Sequence, residues 1–160
     1  MGIIPNHKLD RSVVTEFFIS HWGSSQMVTS SGIFQCDQLE GFSMLGEKGD
    51  ILGLITYITE ADECEIISLD SVLENRGIGT LLLQKVEQQV RKNGIRQIRL
   101  VTTNDNVNAM RFYQKKGFRL MEIHQNAVVK ARRWKPEIPL IAENGIPICD
   151  ELLLVKKGYK

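Results

Sequence analysis

The stretch Leu69-Asp70-Ser71-Val72-Leu73-Glu74-Asn75-Arg76-Gly77-Ile78-Gly79-Thr80 joins two segments of different hydrophobic period. Before it, residues 63–71 read as a strand, with Ile67 and Leu69 expected on one side and Ile66 on the other. After it, Leu82, Val86 and Val90 recur at helical spacing, and Leu81 and Leu83 widen the stripe. Gln84, Lys85, Glu87, Gln88, Arg91 and Lys92 fill the opposite face. This predicts an amphipathic helix over residues 79–92, with cations at its negative end and Gly94 as its stop.

The junction itself carries chemistry. Glycines at 77 and 79 let the backbone approach a ligand and adopt angles that a side chain forbids. The free N–H groups of the following helix turn, added to its dipole, form an anion site suited to phosphate. Arg76 adds a cation and Thr80 a hydroxyl. There is no GxxxxGK[ST] loop and no third glycine to complete GxGxxG, so two other phosphate loops are excluded. Taken alone, the segment reads equally well as a tight turn into a helix.

Upstream, residues 41–46 and 51–59 read as strands joined by the hairpin turn Glu47-Lys48-Gly49-Asp50. Glu60-Ala61-Asp62 makes a second turn. Asp10 can cap a helix over residues 11–21 carrying Val13, Val14, Phe17 and Phe18, which Gly23-Ser24-Ser25 ends. Residues 27–29 suit a short strand, and Ser30-Ser31-Gly32 a loop. Downstream come a strand at 95–103, a helix at 107–116 closed by Gly117, a strand at 118–123, a helix at 125–134 and a strand at 151–155. Pro136, Pro139 and Pro147 interrupt the tail. The order predicts one mixed α/β sheet with helices on its faces, in a single domain over residues 1–160.

Bulk properties narrow the partners. A net charge of +1 over 160 residues offers no basic field for nucleic acid or an anionic membrane. Cys36, Cys64 and Cys149 are odd in number and lack CxxC spacing, so neither a disulfide framework nor a metal site is expected. The N-terminal residues lack the charged start and apolar core of a signal peptide, and a cytoplasmic location is expected. Lys130, Arg132, Arg133 and Lys135 around Trp134 read as a solvated basic helix face.

A second motif lies one strand further on. Asn106-Val107-Asn108-Ala109-Met110-Arg111-Phe112-Tyr113-Gln114-Lys115-Lys116-Gly117-Phe118 has the form NxxAxxFYxxxGF. Asn106 can cap the helix, and the adjacent Phe112 and Tyr113 must face different directions.

Together the two motifs resemble the GNAT superfamily of acyl-CoA-dependent N-acetyltransferases over roughly residues 41–123. The resemblance implies a central, mostly antiparallel sheet with one splayed parallel pair and flanking helices. It implies acetyl-CoA as co-substrate and a primary amine, on a small molecule or peptide, as acceptor. Arg76, Gly77, Ile78, Gly79 and Thr80 would hold the pyrophosphate. Pantetheine would pair with the backbone of Leu69, Asp70 and Ser71, where the N–H of Leu69 or its neighbour polarises the thioester carbonyl, and Asn106 would touch the same arm. Glu74 stands where the family prefers Gln or Arg, which leaves the contact to Arg76 and the backbone N–H groups.

Tyr113 matches the family tyrosine that protonates the leaving thiolate. Glu65 and Glu63, alternating onto one strand face, are the candidate bases for the acceptor ammonium. No metal, membrane or nucleic-acid partner is expected, and a homodimer is admitted. Trp22, Phe34 and Trp134 are candidates to line an acceptor pocket. The alternative is a non-catalytic acyl-CoA sensor or interaction module of the same fold.

Overall fold

The computed structural model describes residues 2–73 and 75–159. Nine strands and four α-helices run β1 (Gly2–Pro5), α1 (Arg11–Trp22), β2 (Gln26–Thr29), β3 (Gly32–Gln35), β4 (Glu40–Leu45), β5 (Ile51–Glu60), β6 (Glu63–Ser71), α2 (Ile78–Lys92), β7 (Gln97–Thr103), α3 (Val107–Lys115), β8 (Arg119–His124), α4 (Ala127–Ala131) and β9 (Glu151–Lys157) among the described residues. Seven strands form one sheet in the order β1-β4-β5-β6-β7-β9-β8, while β2 and β3 make a separate hairpin. Only the β6–β7 neighbours run parallel among the described pairs.

Two apolar clusters cover opposite faces of the sheet. On one face, Leu82, Leu83, Val86 and Val90 of α2 pack with Ile55, Ile66, Ile98 and Leu154, joined by Tyr113 and Phe118. On the other, Val14, Phe17 and Phe18 of α1 pack on Leu54 and Cys36. The apolar stripes of α1 and α2 decide which side of each helix meets the sheet.

Several expectations are corrected by the packing. Ile66 and Leu69 share the α2 face, whereas Ile67 packs on the α1 side. The cause is a β-bulge: Thr56 pairs with Ser68 and Tyr57 with Ile66, leaving Ile67 as an extra residue that breaks the two-residue alternation. Leu81 is exposed rather than part of the α2 stripe. Glu87, expected on the solvated face, is buried and accepts from Tyr159 Oη at 2.7 Å and Lys156 Nζ at 2.9 Å. Those bonds fasten the end of β9 and the residue Tyr159 beyond it to α2.

The tail also departs from the solvated reading. Arg132 turns inward and donates to the carbonyls of Ile138, Pro139 and Ile148. Lys135 is buried, while Trp134 stays 70% exposed. The expected helix over residues 125–134 shrinks to Ala127–Ala131. The short strand β1, which pairs with β4, has no counterpart in the sequence reading.

Candidate functional site

The parallel β6–β7 register runs from Glu63↔Gln97 to Ile66↔Leu100 and stops. Beyond that point each strand keeps its other neighbour: β6 pairs with β5 as far as Gly53↔Ser71, and β7 with β9 as far as Thr103↔Glu151. The two strands therefore diverge in the middle of the sheet. The Ile67 bulge lies where the divergence starts, and bulges bend the strand that carries them. The result is an internal sheet edge, a natural seat for an extended ligand that pairs like a strand.

A cavity of about 380 Å³ occupies this opening and passes through the sheet. Leu69, Asn106, Ala109 and Tyr113 line it from the α2–α3 side, and Trp22, Met27, Val28, Val128 and Ile148 from the α1 side. Of the three aromatic candidates for an acceptor pocket, Trp22 alone contributes to the lining; Phe34 packs on the α1 cluster.

Strand alternation fixes which amides face the opening. Val72 N–H donates to Leu52 O at 2.8 Å, toward β5. Successive N–H groups alternate in direction along a regular antiparallel strand, so those of Ser71 and Leu69 point the other way, toward the opening. The Asp70 side chain faces α1, where Oδ2 accepts the Trp22 indole N–H at 2.9 Å. Burial pushes the Asp70 carboxyl above its ordinary value, and the indole bond offsets part of that.

The turn beyond β6 delivers the chain to the N-terminus of α2. Gly77 is the N-cap, in the left-handed region at φ 71°. The first bond of the helix is Leu81 N–H to Gly77 O at 3.0 Å, and no side chain caps this end. The amides of Ile78, Gly79 and Thr80 are thus the orphan donors of the first turn. A Cβ on Gly79 would meet the Phe112 ring only at ordinary contact, 3.5 Å. The fold by itself does not demand glycine there. Arg76 is exposed beside this turn. Glu74 lies outside the described residues.

Asn106 caps α3, its Oδ1 accepting from Ala109 N–H at 3.2 Å, and also lines the cavity. Tyr113 is 6% exposed, with its ring edge-on to Phe112 at 5.1 Å and to Phe118 at 5.3 Å. Its hydroxyl has no hydrogen-bond partner among the described residues. Burial raises its pKa well above the usual phenol value, and the charge of Asp70 adds to the rise.

Glu63 and Glu65 do not line the cavity. Glu65 directly precedes Ile66, the first β6 residue that lines it, a step of about 3.3 Å along the strand. Its Oε1 lies 3.7 Å from Arg99 Nε, and its buried Oε2 has no hydrogen-bond partner. Glu63 is bound by Gln97 Nε2 and by Arg99.

Four ionisable cavity residues, Glu137, Asp105, Glu151 and Lys135, were missed by the sequence reading, and of these Glu137 is exposed. Asp105 has a buried Oδ1 without a partner. Glu151 is 2% exposed and accepts from Ser30 N–H at 3.0 Å. Lys135 is 7% exposed and donates to Gln26 O at 2.7 Å. No local motif marks the last two, because strand pairing and the tail crossing bring them to the opening. Among the described residues, no cluster of three or more His, Cys, Asp or Glu could hold a metal, and no helix is long and apolar enough to cross a membrane.

Comparison with known proteins agrees with this geometry. The sequence model of the Acetyltransferase (GNAT) family matches residues 11–118. The Bacillus subtilis (strain 168) protein YxbD, itself uncharacterised, is 59% identical over 157 residues, covering 98% of this chain and 99% of its own. A Bacillus subtilis acetyltransferase solved in complex with CoA superposes with a TM-score of 0.69 at 17% identity, over 98% of this chain and 97% of its own. An Elizabethkingia anophelis GNAT family acetyltransferase with acetyl-CoA bound gives 0.67 at 21% identity, over the same shares. At these identities the two solved structures show a shared fold.

Proposed function

The chain belongs to the GNAT acetyltransferase family, and from that premise we propose that it transfers the acetyl group of acetyl-CoA to a primary amine by direct attack. The observation that carries this reading is the opening between β6 and β7, which has orphan helix amides at one end and Tyr113 in its wall.

The residues present fit acetyl-CoA. Gly77 in the left-handed region turns the chain so that the first-turn amides of α2 and Arg76 can receive the pyrophosphate. Gly79, which the fold leaves room to substitute, keeps the backbone bare where a ligand approaches. Ser71 and Leu69 offer amides along the opening, and that of Leu69 would donate to the thioester carbonyl oxygen. The bound group supplies the acetyl thioester.

An amine with an ordinary pKa of ~10.4 is free base in about four molecules per ten thousand at neutral pH, so a proton must first leave. Glu65 is the residue we assign to draw that proton off through water, since its partnerless Oε2 is the nearest such acceptor on β6 below the cavity. Glu63, held by Gln97 and Arg99, is the second candidate. The amine nitrogen then bonds the acetyl carbon and loses its second proton to solvent, the carbon–sulfur bond breaks, and Tyr113 gives its hydroxyl proton to the departing sulfur. Burial keeps that phenol protonated across the working pH range. Solvent returns the proton to Tyr113, so one proton is released per acetyl group transferred.

Mass spectrometry after incubation with acetyl-CoA and an amine tests the reading. The acceptor should gain one acetyl group and the protein none. An acetylated protein would overturn direct attack.

A further inference from the structure

The half of the cavity on the α1 side holds two buried charged side chains that the proposed chemistry does not use, beside the exposed Glu137, which also lines it. Lys135 and Glu151 are nearly fully buried, 7% and 2% exposed, and both line the cavity. Neither forms an ion pair with the other or with any other residue among those described. Each is held by one neutral backbone group of the β2–β3 hairpin region. Lys135 Nζ donates to Gln26 O at 2.7 Å, and the Glu151 carboxylate accepts from Ser30 N–H at 3.0 Å.

A buried charge without a counter-charge is costly, and one neutral hydrogen bond offsets only part of that cost. A protein that places two such charges of opposite sign on one cavity forms the complement of a ligand carrying both signs. The surrounding wall is apolar, supplied by Met27, Val28, Val128, Ile138 and Ile148. The two charges are also far apart. Their anchoring atoms, Gln26 O at the start of β2 and Ser30 N just past its end, are separated by three residues, about 10 Å at ~3.3 Å per residue.

Resting on the acetyl-transfer reading above, we infer that the acceptor is an extended amino-carboxylate, with an ammonium at Glu151, a carboxylate at Lys135 and an apolar spacer between them. Glu151 takes the amine end because it pairs with Thr103, the last β7 residue beside the diverging strands, where the acetyl group must be met. An α-amino acid keeps its two charged groups too close together to reach both residues. An ω-amino acid, or a peptide with an amine at one end and a carboxylate at the other, has the required span.

Matched probes test this. With acetyl-CoA saturating, kcat/KM for 6-aminohexanoate should exceed that for hexylamine, which lacks the carboxylate, at least tenfold, and glycine should be a poor acceptor. Lys135→Met should lower kcat/KM at least tenfold more for 6-aminohexanoate than for hexylamine, and Lys135→Arg should restore most of the difference. Glu151→Gln should raise KM at least tenfold for both amines and leave the Kd of acetyl-CoA within twofold. Equal use of the two probes, or equal loss on both in Lys135→Met, overturns the inference while leaving acetyl transfer intact. Acetyl-CoA binding without turnover of any amine overturns the transfer reading and this inference with it.

Discussion

The Trp22 indole N–H donates to Asp70 Oδ2 at 2.9 Å, tying the last residue of α1 to the strand that lines the opening. The same carboxylate contributes to the raised pKa of Tyr113 on the other side of the sheet. The contact links α1 to the carboxylate whose charge acts on the proposed proton donor.

Asp70→Asn keeps an acceptor for the indole and removes the buried charge. The Asp70 pKa is raised by burial, so between its unfolded and folded values the folded chain holds more protons than the unfolded one. Stability contributed by this group therefore falls as pH rises through that window, and the full penalty persists above it. The variant should melt at a higher temperature than the parent at pH ~7, and the gap should close as pH falls toward ~3.8. Thermal unfolding at the two pH values reads this directly, and a lower melting temperature at neutral pH would contradict it.

Tyr113→Phe should cut turnover at least tenfold and move the Kd of acetyl-CoA less than twofold. The substitution preserves the ring contacts to Phe112 and Phe118 and deletes only the hydroxyl. Steady-state rates and calorimetry separate the two effects; unchanged turnover would remove Tyr113 from the mechanism.

Arg76→Glu reverses the charge beside the uncapped α2 N-terminus. The Kd of acetyl-CoA should rise at least tenfold, and more steeply at low salt, because exposed charges are screened as ionic strength increases. An unchanged Kd would mean that the pyrophosphate lies elsewhere.

Tyr159→Phe removes the 2.7 Å bond to the buried Glu87 carboxylate. A hydrogen bond to a charged group contributes about 1.5–3 kcal/mol, and the midpoint of unfolding should fall by several degrees. Acetyl-CoA binding in the folded variant should be unaffected, since Tyr159 does not line the cavity.

What the sequence made legible follows physical range. The β6 strand, the Gly77 turn, the span of α2 with its Leu82, Val86 and Val90 stripe, and the Asn106 cap depend on residues close in the chain, and each appears where expected within a residue or so. The Ile67 bulge could not be read, because it is a register shift against β5 and not a property of the β6 sequence. Glu87 looked like a solvated helix residue, since its partners Lys156 and Tyr159 come from the far end of the chain. Lys135 was hidden by its basic neighbours Lys130, Arg132 and Arg133. Only the packing of the proline-containing tail against the β2–β3 hairpin turns it inward.

The most direct test of the central claim is the rate at which free CoA thiol appears when the protein is mixed with acetyl-CoA and a panel of primary amines. Acetyl transfer at the β6–β7 opening predicts release that saturates with amine and is at least tenfold slower in Tyr113→Phe. Tight acetyl-CoA binding with no amine-dependent release would contradict it, and would make the chain an acyl-CoA-binding module.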